Sequence, residues 1–160
     1  YRNSDANYPW ALLHTNGSVT SPNRGKNPQL QASIVFTTNS AFCAITVYST
    51  LSVWGKKKHG GASTGEGGAT EGELVDWTAL PAGVTDVVYV ASTGWAFAAL
   101  TVHGKVAVWG SSNAGGCVEG SNVPIASTCR CMPSAVNSEF IVSISGSEIQ
   151  FVALSKDKRA

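Results

Sequence analysis

Charge is what this sequence has least of: 11 basic and 10 acidic side chains make up 13% of its 160 residues, about half the ~25% of an average globular chain. With 43% hydrophobic residues, it has neither the high charge nor the low hydrophobicity of a disordered tail. The net charge of +1 excludes a strong field for capturing nucleic acid or an anionic membrane, so partners must be recognised by surface shape and chemistry. Long hydrophobic runs are also missing. None approaches the roughly 18 to 20 residues that span a bilayer, and the polar start Tyr1-Arg2-Asn3-Ser4-Asp5 is not a signal peptide. The first residue is not Met, which leaves a processed mature protein and a segment of a longer one as alternatives. Cysteine is sparse too. The four, Cys43, Cys117, Cys129 and Cys131, are too few for a disulfide scaffold but allow one or two bridges, and they leave the compartment open.

What the chain has instead is Gly, Ser, Thr, Ala and Val, the composition of short strands joined by tight turns, and an all-β fold follows. Its length suits a single domain. A search for self-similarity finds Ala41-Phe-Cys-Ala-Ile-Thr-Val-Tyr-Ser-Thr-Leu-Ser-Val-Trp-Gly55 returning about 55 residues later as Ala96-Phe-Ala-Ala-Leu-Thr-Val-His-Gly-Lys-Val-Ala-Val-Trp-Gly110. The trailing Gly60-Gly61 recurs as Gly115-Gly116. Each copy predicts a hairpin, with Gly104 supplying a positive φ in the second turn. A further strand precedes each hairpin, at residues 32–38 and 86–93. Weaker copies flank these two. Residues 10–19 match 97–106, with Gly17 in the turn position of Gly104, and residues 140–145 and 151–155 repeat the preceding strand and the hairpin's first strand. The chain therefore divides into one repeat domain, 1–160, with units at 1–29 (truncated), 30–83, 84–137 and 138–160 (partial). The segment from Glu73 to Leu80 offers an outer strand or a turn between the two complete units.

The pattern Ala-Phe-Ala-Ala-Leu-Thr-x-x-Gly-Lys-Val-x-Val-Trp-Gly-x-x-x-x-Gly-Gly at residues 96–116 resembles the regulator of chromosome condensation repeat, whose members form seven-bladed β-propellers. The resemblance is specific at 42–61 and 97–116 and faint at both ends. It implies antiparallel sheets stacked through their apolar faces, as propeller-like blades. It does not imply one activity, since relatives include a nucleotide exchange factor for a small GTPase and inhibitors of secreted enzymes. A repeat of about 55 residues fits this chain roughly three times, whereas about 4 to 8 blades close a propeller. An incomplete or open propeller is expected, with unpaired edges available for further pairing.

Trp54 and Trp109 occupy the same repeat position and are expected to fill the space between sheets. Trp10, Trp77 and Trp95 lie outside that register and are candidate partner contacts, as are the basic cluster Lys56, Lys57 and Lys58 and the strand residue Phe151. Glu66, Glu71, Glu73 and Asp76 lie near the lysines in sequence and are expected to pair with that charge. The Gly-rich run at 60–68 lacks the Gly-Lys-(Ser/Thr) ending and the following helix of a phosphate-binding loop. Cys117 with Cys129 and Cys131 supplies three thiols but no completed tetrahedral zinc set. In an oxidising compartment Cys117 would bridge to Cys129 or Cys131, and Cys43 reads as a small core residue. His14, His59 and His103 fall near turns without a shared constellation, and no nucleophile motif is present. No catalytic, cofactor or metal residues are assigned. The expected function is a non-enzymatic structural or protein-interaction module, self-assembling with other copies or pairing with other protein chains through open sheet edges or faces. The alternative is a fragment of a closed propeller that recognises a protein or glycan, with GTPase regulation less favoured. Neither nucleic acid nor a membrane span is expected.

Overall fold

A computed structural model describes residues 10–21, 25–27, 30–61, 77–119 and 131–156. Its strands are β1 (Leu12–Leu13), β2 (Val19–Ser21), β3 (Gly25–Asn27), β4 (Ala32–Thr37), β5 (Ala41–Thr46), β6 (Leu51–Gly55), β7 (Trp77–Thr78), β8 (Val87–Ser92), β9 (Ala96–Thr101), β10 (Val106–Ser111), β11 (Ile141–Gly146) and β12 (Phe151–Ser155). Only short 3-10 turns interrupt them. They form four sheets, ordered β1-β2-β3, β4-β5-β6, β7-β10-β9-β8 and β11-β12. All the strand pairings are antiparallel, as the repeat requires.

The two complete repeats fold alike down to register. Phe42 faces Trp54 across β5 and β6, and Phe97 faces Trp109 across β9 and β10. The strand leading each of the last three sheets carries an irregularity near its start, between Ala32 and Ile34, Val87 and Tyr89, and Ile141 and Ser143, where one extra residue increases local twist. One connection was not anticipated by the repeat units. Strand β7 lies in the segment leaving β6, yet it pairs with β10 of the following sheet, Trp77 opposite Ser111 and Thr78 opposite Gly110. Sequence unit and sheet are thus offset by one strand. Only Trp77 and Thr78 of the expected outer strand are extended there, and 73–76 lie outside the described residues.

Period-two alternation with both faces apolar explains the central strands. On β5, Ala41, Cys43 and Ile45 pack towards β7–β10, joined by Val53, Val90, Phe97, Ala99 and Trp109. Phe42 and Ala44 turn the other way and pack with Val19, Leu30 and Trp54. On β9, Ala98 and Leu100 pack with Val106, Val108, Ile141 and Ile144. Three apolar layers therefore alternate with four sheets. Strands buried on both faces leave little surface for charge, which accounts for the low charged fraction.

Backbone bonds repeat the stacking. The hairpin turn of one sheet accepts from the first strand of the next: Ala32 N–H donates to Gly17 at 2.8 Å, Val87 to Ser49 at 2.9 Å and Ile141 to Gly104 at 2.9 Å. At the opposite end, Asn39 N–H donates to Gly94 at 2.9 Å and Gly94 N–H to Glu148 at 2.8 Å. The Gly-Gly pair also has a physical reason. Gly60 sits at φ +98°, and a Cβ there would lie 2.5 Å from the Phe97 ring of the next sheet; a Cβ on Gly61 would lie 2.5 Å from the Gly55 backbone. No helix among the described residues is long and apolar enough to cross a membrane.

Candidate functional site

Threonine organises the loop end of each repeat. Thr38 and Thr93 close the turns before β5 and β9 by accepting from Ala41 and Ala96 N–H, both at 3.0 Å. Their hydroxyls also reach the turns after β6 and β10, donating to His59 O at 3.0 Å and Ala114 O at 3.3 Å. This gathers the turns at 57–59, 94–95, 112–114 and 148–149 on one end of the stack.

Here the structure brings together some of the residues singled out by sequence. Lys58, His59, Trp95, Ser111, Asn113 and Ile149 line a pocket of ≈ 290 Å³. Trp95 is half-buried and meets the His59 ring edge-on, with centroids 6.5 Å apart. Trp77 is half-buried and adjoins this region through its pairing with Ser111. Lys56 and Lys57 are exposed on the same turn as Lys58. Trp10 lies apart, 53% exposed ahead of β1. Phe151 is half-buried against the last apolar layer, so it faces the protein interior more than solvent. The acidic residues expected to neutralise the lysines, Glu66, Glu71, Glu73 and Asp76, lie outside the described residues.

His59 is the residue that sequence reasoning passed over. It is buried, and its Nδ1 has no hydrogen-bond partner among the described residues. Burial first, and then the positive charges of Lys56 and Lys58, lower its pKa from the usual 6.5 to about 4, because both disfavour the imidazolium. It is therefore neutral near pH 7. The signal was in the repeat: the equivalent position holds Ala114, a small and fully interior residue. His14 bonds Thr20 Oγ1 at 2.9 Å, and His103 lies 4.0 Å from Asp86 in an exposed pair. Among the described residues no group of three or more His, Cys, Asp or Glu is placed to hold a metal ion.

The open cysteine question resolves to one pair. Cys117 is bonded to Cys131, tying the start of the β10–β11 connection to its return, where Val118 and Met132 form a bridge. Cys129 lies outside the described residues. Cys43 is fully buried in the second apolar layer, and burial pushes its thiol pKa far up, so it is not a nucleophile at neutral pH.

A second concavity, of ≈ 410 Å³, lies between the last two sheets and is lined mainly by apolar side chains, including Val106, Val108, Met132 and Phe151. Beside it β12 leaves its outer edge without a strand among the described residues. Val152 and Leu154 on that strand are 66% and 62% exposed, although the corresponding Ala98 and Leu100 of β9 are buried under the next sheet.

No protein-family model matches the sequence, and a comparison with curated proteins gives no match. Solved structures do resemble the fold. Human WBSCR16 is similar over 92% of this chain and 42% of its own, with a TM-score of 0.57 and 13% identity. Prp20p of Saccharomyces cerevisiae, whose structure was reported with its binding properties to Gsp1p and histones, is similar over 87% of this chain and 39% of its own, with a TM-score of 0.56 and 13% identity. The chain thus spans about two fifths of the length of these structures. Both are β-propellers of the regulator of chromosome condensation class, and the fold of this chain is that of consecutive blades from such a propeller.

Proposed function

We propose that this chain is a non-enzymatic interaction module, a short stack of propeller-like blades that associates with other protein chains, its own copies included, through the outer edge and face of β12. The observation that carries this reading is β12. It repeats the central strand of a blade, yet its outer edge has no strand among the described residues and its outward side chains Val152 and Leu154 are exposed. An edge strand with free N–H and C=O groups beside an apolar face is a template for pairing. Lys156 follows directly at its end, a weak guard. Sedimentation velocity across a hundredfold concentration range tests it: a mass that grows with concentration supports association, and a constant monomer mass contradicts it.

A second reading is favoured by the partial match to longer propellers. Here the blades belong to a closed ring, and the loop-end pocket at Trp95 and His59 meets a protein or glycan, with Lys56, Lys57 and Lys58 at its rim. Prp20p's binding to Gsp1p and histones gives a precedent for protein partners. At 13% identity it assigns neither partner to this chain, and GTPase regulation rests on that likeness alone.

A further inference from the structure

We propose that Asn16 is a glycan attachment site, its side-chain amide nitrogen accepting an oligosaccharide from a lipid-linked diphosphate donor in an oxidising, secretory compartment. The site is independent of the association through β12.

Asn16-Gly17-Ser18 is the one Asn-x-Ser/Thr triplet with x other than Pro in the sequence, the acceptor pattern for N-linked glycans. Its setting strengthens the match. The triplet forms the turn between β1 and β2, where Asn16 is exposed. Ser18 donates twice to Asn16 Oδ1, from its backbone N–H at 3.1 Å and from its hydroxyl at 2.8 Å. A backbone N–H donates and cannot accept, so the amide atom facing Ser18 is the oxygen. Nδ2, the atom that would carry the sugar, is therefore turned away from Ser18 on an exposed residue.

The turn itself does not ask for this pair. Its equivalents read Tyr48-Ser49-Thr50 and His103-Gly104-Lys105, and the three share a positive φ at the middle residue, +79° at Gly17, +57° at Ser49 and +68° at Gly104. Gly17 meets that requirement without help from either neighbour. Ser18 is 1% exposed, so its hydroxyl is closed off in the folded chain. The triplet is then read on the entering chain, before β1 and β2 pair, and the exposed Asn16 lets the finished glycan stand clear of the fold. The turn belongs to the first sheet, at the hairpin end, so a glycan there leaves both β12 and the loop-end pocket open. The bridge between Cys117 and Cys131 points to the same compartment, because such bonds form and persist in oxidising surroundings. In the transfer, a bond forms between Nδ2 and the sugar C1 while the C1–O bond to the diphosphate breaks. The diphosphate leaves with that electron pair, Nδ2 gives up one proton to a base of the transferase, and nothing is oxidised or reduced.

The test follows the full chain, carried into microsomes during translation by an added secretory leader. Peptide N-glycosidase in heavy-oxygen water removes N-linked glycans and leaves a labelled Asp at the attachment site. The parent is expected to run as a slower band that the enzyme collapses, with the label at residue 16. Asn16→Gln and Ser18→Ala should lose the shift, and Ser18→Thr, which keeps the hydroxyl, should retain it. These readouts are covalent and set before folding, so a variant that fails to fold still reports. Protein isolated from the cells that make it should take up the same label at Asn16. An unshifted parent, a shift indifferent to Asn16→Gln, or an unlabelled Asn16 in the protein from its own cells would each overturn the site.

Discussion

Trp109 is the largest fully buried side chain among the described residues, stacks on Phe97 and donates its indole N–H to Gly60 O. Replacing it with Ala removes a large aromatic from a packed layer, at a cost of about 3 to 5 kcal/mol. His103→Ala, in an exposed turn, should leave stability nearly unchanged. Urea denaturation of both variants checks this, and equal small losses would place Trp109 outside the core. His59 makes a pH-dependent contribution of definite sign. Its folded pKa, about 4, is below the ordinary 6.5, so between those values the unfolded chain binds more protons than the folded one. Stability should therefore fall as pH drops from about 6.5 to 4. Melting temperatures at pH 7 and pH 4.5 should differ more in the parent than in His59→Gln, and equal pH dependence in the two would contradict the burial argument.

At the scale of elements, the blades were legible because both faces of a central strand are buried and the Phe and Trp recur opposite one another. Residues 41–46 and 96–101 could be read as strands, and Gly104 as a turn, from that pattern alone. The outer strand was less legible. Trp77 and Thr78 pair with Ser111 and Gly110 respectively, a choice made by the tertiary position of the connection and not by any local periodicity. His59 was missed because a lone histidine beside lysines suggests a solvated turn, and only its alignment with Ala114 betrays the interior site. The lysine cluster itself is exposed as its charge requires, but it shares the loop end with Trp95, which lies about 40 residues away in sequence. Composition allowed two partners for Cys117, and the fold uses Cys131. That bridge closes a loop with a sequence separation of 14, for which chain-entropy reasoning gives about 3 kcal/mol. The double variant Cys117→Ser, Cys131→Ser should lose stability of that order, and parent protein under reducing conditions should lose it too. Denaturation curves that coincide with and without reductant would contradict a structural role for the bridge.

Among the described residues the molecule is a stack of four sheets with three apolar layers between them. Each inner sheet has an apolar layer on both sides, whereas β12 has a layer on one side, exposed Val152 and Leu154 on the other, and no strand along its edge among the described residues. Burying those two side chains under another chain would remove apolar surface from water at roughly 25 cal/mol per Å², and a strand paired along the edge would add main-chain hydrogen bonds. The most direct measurement is backbone hydrogen exchange of residues 151–155 as a function of protein concentration. If the open edge pairs with another chain, the β12 amides that face away from β11 exchange quickly in dilute protein and are protected as concentration rises, while β5 and β9 stay slow throughout. Rapid exchange along β12 at every concentration, in a protein whose mass remains that of the monomer, would contradict it.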